Sequence, residues 1–244
     1  MKWNIVQADH IGGRQEQQDR SLILSASNGE RHWLVLADGM GGHNGGALAA
    51  QAIIDTAKQL WQDNEECRAI LNPQVFLSDF CALAHQAIIN LGKAQNISPH
   101  STCVSAFIED RQVYLIHVGD SRLYHLHASQ TQFRTRDHSL VQMLVDMGRL
   151  KESEMGQHPE QNYLLRGLGG ETEPELDFHQ LQVQAQDHIY LCSDGYWEHV
   201  SPEHTAVQLQ VNNLEINARQ LVAEAVKSGG KQGDNVSLIA AVCY

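Results

Sequence analysis

The stretch Trp33-Leu-Val-Leu-Ala-Asp-Gly39 contains the pattern around which the rest of the chain is organised. An apolar run with the length of a buried β-strand ends in Asp38, and a glycine follows at once. This order places a carboxylate at the rim of a hydrophobic core. If the strands concerned share one sheet system, their carboxylates could converge on a single point. An apolar run followed by an aspartate recurs in Val113–Asp120 and in Ile189–Asp194. In Asp234–Val242 the aspartate comes before the apolar run.

Neighbouring apolar runs predict the fold class. Most of the expected strands follow one another without an intervening helix, which favours an α+β fold with antiparallel sheets over a doubly wound parallel sheet. Strands are expected at Asn4–Gln7, Ser21–Ser25, His32–Ala37, Cys103–Glu109, Gln112–Val118, Leu123–His127, Phe133–Thr135, Glu175–Gln182, His188–Cys192 and Val236–Val242. Helices are expected at Gly45–Trp61, Val75–Ala94, Leu140–Met147, Pro202–Gln208 and Ile216–Lys227.

The chain is expected to form a single domain over residues 1–244, because it contains no repeat and no linker rich in proline, glycine and serine. The segment Gly148–Gly170 is polar, has weak periodicity and carries glycines at both ends. Long excursions of this kind inside compact domains are usually functional lids or disordered.

Composition excludes several classes of protein. A formal net charge of −12 argues against binding to nucleic acid or to an anionic membrane surface. No apolar run reaches the roughly 18 residues of a membrane span, and Met1–Asp9 has no apolar core typical of a secretory signal. The five cysteines are scattered and never spaced as Cys-x-x-Cys, so neither a disulfide framework nor a zinc ribbon is expected. We therefore expect a cytoplasmic protein without membrane insertion.

The four strand-end carboxylates predict a cation site. Converging carboxylates repel one another and require cations to stay ionised. Oxygen ligands suit Mg²⁺, Mn²⁺ or Ca²⁺ rather than zinc, and two such ions can activate water and clamp the oxygens of a phosphoryl group. An Asp-Gly pair is also a common turn signal, so each aspartate alone has a simpler explanation. Four together, each beside an apolar strand, favour the cation site.

Two other candidate sites are weaker. A nucleotide-binding loop is the main alternative for the glycine-rich segment Asp38–Gly46. However, the segment lacks the Gly-Lys-Ser/Thr ending of a P-loop, and Asn44 interrupts a Gly-x-Gly-x-x-Gly pattern. His125 and His127 share one strand face, but a zinc site there lacks a third ligand nearby in the sequence.

Seven short motifs occur in an order that resembles the PP2C-type metal-dependent protein phosphatases, and their compact bacterial members in particular. Each motif is short, and their common order over nearly the whole chain makes the resemblance specific. The motifs are Gly13–Asp19, Asp38–His43, Val118–Arg122, Arg136–Ser139, Leu165–Gly169, Ser193–Gly195 and Gly233–Ser237.

The resemblance implies a four-layer α-β-β-α sandwich, in which helices flank two antiparallel sheets and residues 148–170 form a flap. It also implies two Mn²⁺ or Mg²⁺ ions. Asp38 would bridge both ions and hold the attacking water. The carbonyl of Gly39 would bind one ion, and Asp194 and Asp234 would bind the other.

Further roles follow from the same resemblance. Asp120 would hold a third, weaker ion, and Asp19 would act on a metal through water. Arg14 would bind the substrate phosphate through its guanidinium fork. His43 would be the general acid that protonates the leaving alkoxide. Gln18 replaces a carboxylate found in some relatives, which could weaken one metal.

The implied activity is hydrolysis of phosphoserine and phosphothreonine esters in proteins, opposing a bacterial Hanks-type serine/threonine kinase, by a protein expected to be a monomer. Two alternatives stay open. One is a catalytically silent scaffold that binds phosphoproteins, which the complete aspartate set disfavours. The other is a different hydrolase with the same two-metal site. The absence of a basic patch disfavours a nuclease, whereas a small-molecule phosphatase is compatible with the sequence.

Overall fold

Two antiparallel sheets form the centre of the molecule. The computed structural model describes residues 1–41, 45–64 and 70–244. The strands in these residues are β1 (Trp3–His10), β2 (Asp19–Ser25), β3 (Arg31–Met40), β4 (His100–Ser101), β5 (Cys103–Glu109), β6 (Gln112–Val118), β7 (Arg122–His127), β8 (Gln130–Arg134), β9 (Asp177–Gln182), β10 (His188–Cys192) and β11 (Val236–Cys243).

Helices cover the outer face of each sheet. Helices α1 and α2 pack on the sheet that contains β3, and α5 and α6 pack on the sheet that contains β11. The α+β fold and the four-layer α-β-β-α arrangement are therefore confirmed. The helices are α1 (Gly45–Asp63), α2 (Pro73–Gln95), α3 (Leu140–Asp146), α4 (Asp194–Trp197), α5 (Pro202–Gln208) and α6 (Leu214–Gly229).

The strand order brings distant parts of the chain together. One sheet has the order β1-β11-β10-β7-β8, and the other has the order β2-β3-β5-β6-β9, with β4 pairing with β3. The first strand therefore pairs with the last, from Trp3 opposite Cys243 to His10 opposite Val236. Since every pairing is antiparallel, the aspartates that follow β6 and β10 lie at the same end as the aspartate that precedes β11.

Strand β3 explains why the run Trp33–Ala37 is continuously apolar. Successive side chains of a strand point to opposite faces. Trp33, Val35 and Ala37 pack against the helical layer, whereas Leu34 and Leu36 pack between the two sheets. Both faces of β3 are therefore buried, and no position alternates to a polar residue until the strand reaches Asp38.

Helix α2 is long and apolar enough to cross a membrane by length and composition alone. Its side chains Phe76, Leu77 and Phe80 instead pack in the core under the sheet. Asn72 caps the helix start by accepting hydrogen bonds from the two backbone N–H groups that follow Pro73. The apolar character of one face of α2 is thus explained by packing against the sheet, although only 44% of its most apolar window is buried.

Sequence periodicity located most elements closely. Strands β5, β6 and β10 have the predicted bounds, and helices α1, α2 and α6 extend one or two residues beyond theirs. The two-residue strand β4 and the four-residue helix α4 were missed, because neither is long enough to show a period.

The segment 148–170, expected to be a flap, leaves and rejoins the body through defined contacts. It contains a 3-10 turn at Glu152–Gln157, in which Met155 is fully buried. Isolated bridges pair Leu168 with Ser101 and Leu164 with Ser139. The return of this segment is therefore held against β4 and against the residue that caps α3.

Truncating Trp33 should destabilise the fold strongly. Its ring is fully buried, lies 4.8 Å from Phe76 and 5.0 Å from Phe80 between ring centroids, and donates from Nε1 to Ser105 Oγ at 2.7 Å. We expect Trp33→Ala to lower the free energy of unfolding by about 3–5 kcal/mol in urea titrations followed by circular dichroism. Leu71→Ala, at a side chain that is 98% exposed, should change it by less than about 0.5 kcal/mol. Equal effects would contradict the packing described.

Candidate active site

A cavity of about 360 Å³ opens where the ends of β3, β6, β10 and β11 meet. Asn162 and Leu164 of the segment 148–170 form part of its wall. Most of the residues predicted from the sequence lie on the same wall, namely Arg14, Asp38, Gly39, Asp120, Asp194 and Asp234. The structure thus brings residues from both ends and the middle of the chain to one surface.

Asp19 lies behind this wall. It is the register partner of Asp38 in the pairing of β2 with β3, and it is only 3% exposed. Its carboxylate accepts a hydrogen bond of 2.8 Å from Ser193 Oγ, and the same oxygen of Ser193 accepts one of 3.0 Å from the backbone N–H of Ser237. Asp19 therefore connects one sheet to the other directly beneath the cavity.

The backbone of Asp38 is held on both sides. Its N–H donates to Thr102 Oγ1 at 3.0 Å, and its carbonyl accepts from the Thr102 N–H at 2.9 Å and from Ser101 Oγ at 2.9 Å. Thr102 Oγ1 also lies 2.7 Å from Ser121 Oγ, next to Asp120. One threonine thus links the segments that carry two of the aspartates.

Gly39 is required by a close approach of two backbones. A Cβ atom at Gly39 would lie 2.0 Å from the carbonyl oxygen of Gly46, and one at Gly46 would lie 2.5 Å from the carbonyl oxygen of Gly39. The start of α1 therefore packs directly on the peptide that follows Asp38. This contact sets the position of the Gly39 carbonyl, the predicted backbone ligand.

The loop that carries Asp120 rests on a buried ion pair. Gly119 has a φ of +105°, a conformation that favours glycine, and the Asp120 carbonyl accepts a hydrogen bond of 2.9 Å from Trp197 Nε1. Beneath it, Arg122 donates to both carboxylate oxygens of Asp137, at 2.8 and 2.6 Å. The Arg122 guanidinium carbon also lies 3.5 Å from the ring centroid of Trp197. Arg122 thus braces the Asp120 loop from below.

Asn235 ties the N-terminal loop to the start of β11. Its Oδ1 accepts from the Gln18 N–H at 2.7 Å, and its Nδ2 donates to the Ile11 carbonyl at 2.8 Å. The loop so held carries Arg14, whose guanidinium donates to Asp234 Oδ2 at 2.6 Å. Both side chains are partly exposed, so this pair lies at the mouth of the cavity.

The carboxylates strongly disfavour being ionised together. Burial raises the pKa of Asp19 to about 7 and the pKa of Asp194 to about 6. Burial, with added repulsion from neighbouring carboxylates, also holds the pKa values of Asp38 and Asp120 well above their ordinary range. For Asp38 the repelling groups are Asp19, Asp194, Asp120 and Asp234, in decreasing order.

This donor set fits hard divalent cations. Four carboxylates and a backbone carbonyl supply only oxygen ligands, the set preferred by Mg²⁺ and Mn²⁺. The cluster carries more negative charge than the guanidinium of Arg14, on the same wall, can balance. Bound cations would offset the repulsion that raises the pKa values, so the residues present are suited to hold them.

Two residues in the site were not identified from the sequence, and one prediction lies outside the described residues. Glu198 caps the C-terminal end of α4, and burial together with the charges of Asp194 and Asp234 raises its pKa to about 8. Its position four residues after Asp194 was the only available signal. The role of Asn235 depends on long-range contacts that no local pattern reveals. His43, the predicted general acid, lies in the 42–44 gap of the described residues.

Comparison with known proteins identifies the family. A family model described as protein phosphatase 2C matches residues 6–228. The chain belongs to the protein phosphatase 2C family. The match includes Asp38, Asp120 and Asp194, whereas Asp234 lies six positions beyond the last matched residue.

Three relatives of this PP2C chain illustrate the similarity. The serine/threonine protein phosphatase PstP of Mycobacterium tuberculosis is 34% identical over 212 residues, which cover 85% of this chain and 40% of the relative. A structure of the S. agalactiae serine/threonine phosphatase has a TM-score of 0.87 at 26% identity, covering 99% of this chain and 100% of that one. The structure of the PstP catalytic domain in complex with two manganese ions has a TM-score of 0.81 at 28% identity, covering 98% and 97%.

The raised pKa values predict how the stability of the cation-free PP2C chain depends on pH. In the folded state Asp19 and Asp194 keep their protons up to about pH 7 and 6, whereas an unfolded aspartate releases its proton near pH 3.9. The folded state therefore binds more protons, and its stability falls as the pH rises through this window. We expect the melting temperature in EDTA to fall from about pH 5 to about pH 8.

Asp38→Asn should make that slope shallower, because it removes a buried carboxyl group whose own pKa is well above its ordinary range. Adding Mn²⁺ or Mg²⁺ should raise the melting temperature of the unaltered protein more at about pH 8 than at about pH 5. A melting temperature that rises with pH in EDTA would contradict the electrostatics described.

Proposed function

We propose that this protein hydrolyses phosphoserine and phosphothreonine esters of proteins, with Mn²⁺ or Mg²⁺ ions bound to its aspartates. The observation that carries the proposal is the convergence of Asp38, Asp120, Asp194 and Asp234 on one cavity beside Arg14. Membership of the protein phosphatase 2C family supports the same chemistry. The chain spans 40% of the length of the M. tuberculosis relative, so activity, substrates and partners are all part of the proposal.

The roles proposed for the aspartates follow their places on the wall. Asp38 lies among the other carboxylates and is the candidate to be shared by two ions, with the Gly39 carbonyl on one ion and Asp194 and Asp234 on the other. When bound, the ions would lower the pKa of a water molecule and neutralise phosphoryl oxygens. Asp120 is the candidate for a third, weaker ion.

Asp19 is proposed to support the site from behind. Its buried carboxylate interacts with Ser193, directly before Asp194. Such partners orient a ligating side chain and tune its charge. An indirect role, through water or through Ser193, agrees with its 3% exposure.

Arg14 is proposed to bind the phosphate group. Its side chain is 52% exposed at the cavity mouth and is paired with Asp234. A cation bound to Asp234 would take over the neutralisation of that carboxylate. The guanidinium fork would then be available for two phosphate oxygens, a geometry for which arginine is well suited.

The departing serine or threonine oxygen needs a proton. We keep His43 as the proposed general acid, because imidazoles ordinarily titrate near pH 6.5 and can donate a proton at neutral pH. This assignment rests on its place in the motif Asp38–His43.

The proposal extends to the organisation and setting of the protein. We propose one domain over residues 1–244 with a flap at about 148–170, acting as a cytoplasmic monomer on phosphorylated proteins and opposing a cognate serine/threonine kinase. The relatives are named serine/threonine phosphatases, which supports the proposal that this chain acts on phosphorylated proteins.

Asp38→Asn should reduce turnover by about 10³-fold. The change removes the charge shared by the proposed ions, and electrostatic stabilisation of this kind contributes several kcal/mol. The assay is hydrolysis of p-nitrophenyl phosphate and of phosphoserine and phosphothreonine peptides with Mn²⁺, with and without EDTA. Asp63→Asn, an exposed position at the end of α1, is the matched control and should retain full activity.

Retained turnover in folded Asp38→Asn would contradict the shared-ligand role. Metal-dependent activity on nucleotides or sugar phosphates, with none on phosphopeptides, would replace the proposal with a small-molecule phosphatase. Tight phosphopeptide binding without turnover under any divalent ion would replace it with a binding scaffold.

Arg14→Ala should raise KM by about tenfold and change kcat less, because it removes charge-assisted hydrogen bonds to the bound phosphate. Arg14→Lys keeps the charge without the fork and should give an intermediate KM. Arg219→Ala, on the exposed face of α6, is the matched control. A KM for Arg14→Ala equal to that of the control would rule out the phosphate contact.

A further inference from the structure

A second group of potential metal ligands lies outside the aspartate cavity. His117 of β6, His138 of the segment before α3 and Asp177 of β9 form a compact cluster, hereafter the His–Asp cluster. One potential ligand atom from each residue lies within 4.8 Å of the others. His117 and Asp177 are register partners across β6 and β9, so the sheet itself places them side by side.

The imidazole of His117 is buried without satisfied ring nitrogens. His117 is 1% exposed, yet neither of its ring nitrogens makes a hydrogen bond of acceptable geometry. Buried polar groups are nearly always satisfied, and leaving one unpaired costs free energy. The His117 ring centroid lies 4.7 Å from that of His138, so the unpaired imidazole is directed into the cluster. A ligand bound there would account for it.

His138 and Asp177 are already spaced like two ligands of one ion. His138 Nε2 lies 3.2 Å from Asp177 Oδ2, and this buried nitrogen has no hydrogen bond of acceptable geometry. Two ligands of a tetrahedral zinc ion, at about 2.0–2.1 Å from the metal, are separated by about 3.3 Å. The Asp177 side chain is 39% exposed and can move toward His117, whereas both histidines are buried.

The His–Asp cluster is accessible from the surface, and charged side chains hold Asp177 in place. A surface cavity of about 350 Å³ has His138 and Asp177 in its wall, next to Arg136 and Arg166. The second Asp177 oxygen lies 3.6 Å from Arg166 Nη1, and Glu175 accepts a 2.7 Å contact from the other nitrogen of the same guanidinium. The charge of Arg166 is thus shared between two carboxylates, which limits its repulsion of a cation.

We propose that the His–Asp cluster is a binding site for Zn²⁺, separate from the aspartate cavity. Two imidazole nitrogens and one carboxylate are a donor set that favours zinc over Mg²⁺ or Mn²⁺, and a water molecule from the surface cavity would complete four ligands. The site joins β6, β9 and the segment that leads into α3. It would cross-link these elements near the loop that carries Asp120.

Zinc binding would alter one existing contact. His138 Nδ1 accepts a 3.2 Å hydrogen bond from the Gly119 N–H. If Nε2 binds a metal, the single proton of the neutral ring resides on Nδ1, and Gly119 loses this acceptor. Gly119 directly precedes Asp120. Zinc bound to the His–Asp cluster would therefore remove a hydrogen bond from the loop that carries Asp120.

The test is a metal titration of the full chain that does not rely on activity. Zn²⁺ and Co²⁺ are added in excess Mg²⁺, which occupies oxygen sites, and binding is followed by Co²⁺ visible absorption and by ¹⁵N NMR of the histidine rings. We expect one ion per chain that shifts the His117 and His138 nitrogens, and the same ion should bind to Asp38→Asn. No uptake in excess Mg²⁺, or uptake without a His117 shift, would overturn the proposal.

Two variants make the assignment specific. Asp177→Asn keeps the shape but removes the anionic ligand, and it should weaken Zn²⁺ binding at least tenfold. Asp110→Asn makes the same chemical change at an exposed side chain in the turn before β6 and should leave binding within about twofold. Equal affinities in the two variants would overturn the proposal. The NMR shifts of the unaltered protein decide the question even if Asp177→Asn folds poorly.

Discussion

The mutual repulsion of buried carboxylates is the constraint on which this structure depends. Burial, with added repulsion from neighbouring carboxylates, holds the pKa values of Asp38 and Asp120 well above their ordinary range and raises that of Asp194 to about 6, so ionising these groups without bound cations costs folding free energy. The fold has to oppose that cost with packing elsewhere, and the three hydrophobic layers around and between the sheets provide it. Bound cations would convert the same repulsion into an attraction and link ligand binding to stability.

The residues around the cavity are arranged to keep the carboxylates close. Thr102 fixes the backbone of Asp38 and contacts Ser121. Ser193 connects Asp19 to the start of β11, and Arg122 supports the Asp120 loop through Asp137 and Trp197. Each of these side chains is largely buried and has its hydrogen bonds satisfied. The precision of the site therefore comes from neutral and paired groups, while the aspartates supply the charge.

Local pattern predicted the elements, and motif order predicted the family, because both are properties of short segments. The apolar run ending in Asp38 was sufficient to locate β3 and its carboxylate. Glu198, Asn235 and the pairing of Arg14 with Asp234 required knowledge of which segments meet. Likewise, His138 and Asp177 are 39 residues apart in sequence, and only the pairing of β6 with β9 brings Asp177 beside His117. No pattern within a short stretch of sequence predicts that such distant side chains meet.

The pairing of β1 with β11 has a consequence for how the protein is made. Arg14 and Asp234 are separated by 220 positions, and Asn235 holds the loop that carries Arg14. During synthesis from the ribosome, the N-terminal strand must wait for β11 before its sheet can close. Contacts between such distant positions form late, because a long loop must first be closed. A nascent chain would thus carry Asp38, Asp120 and Asp194 before β11 closes the sheet and brings Asp234 to the same cavity.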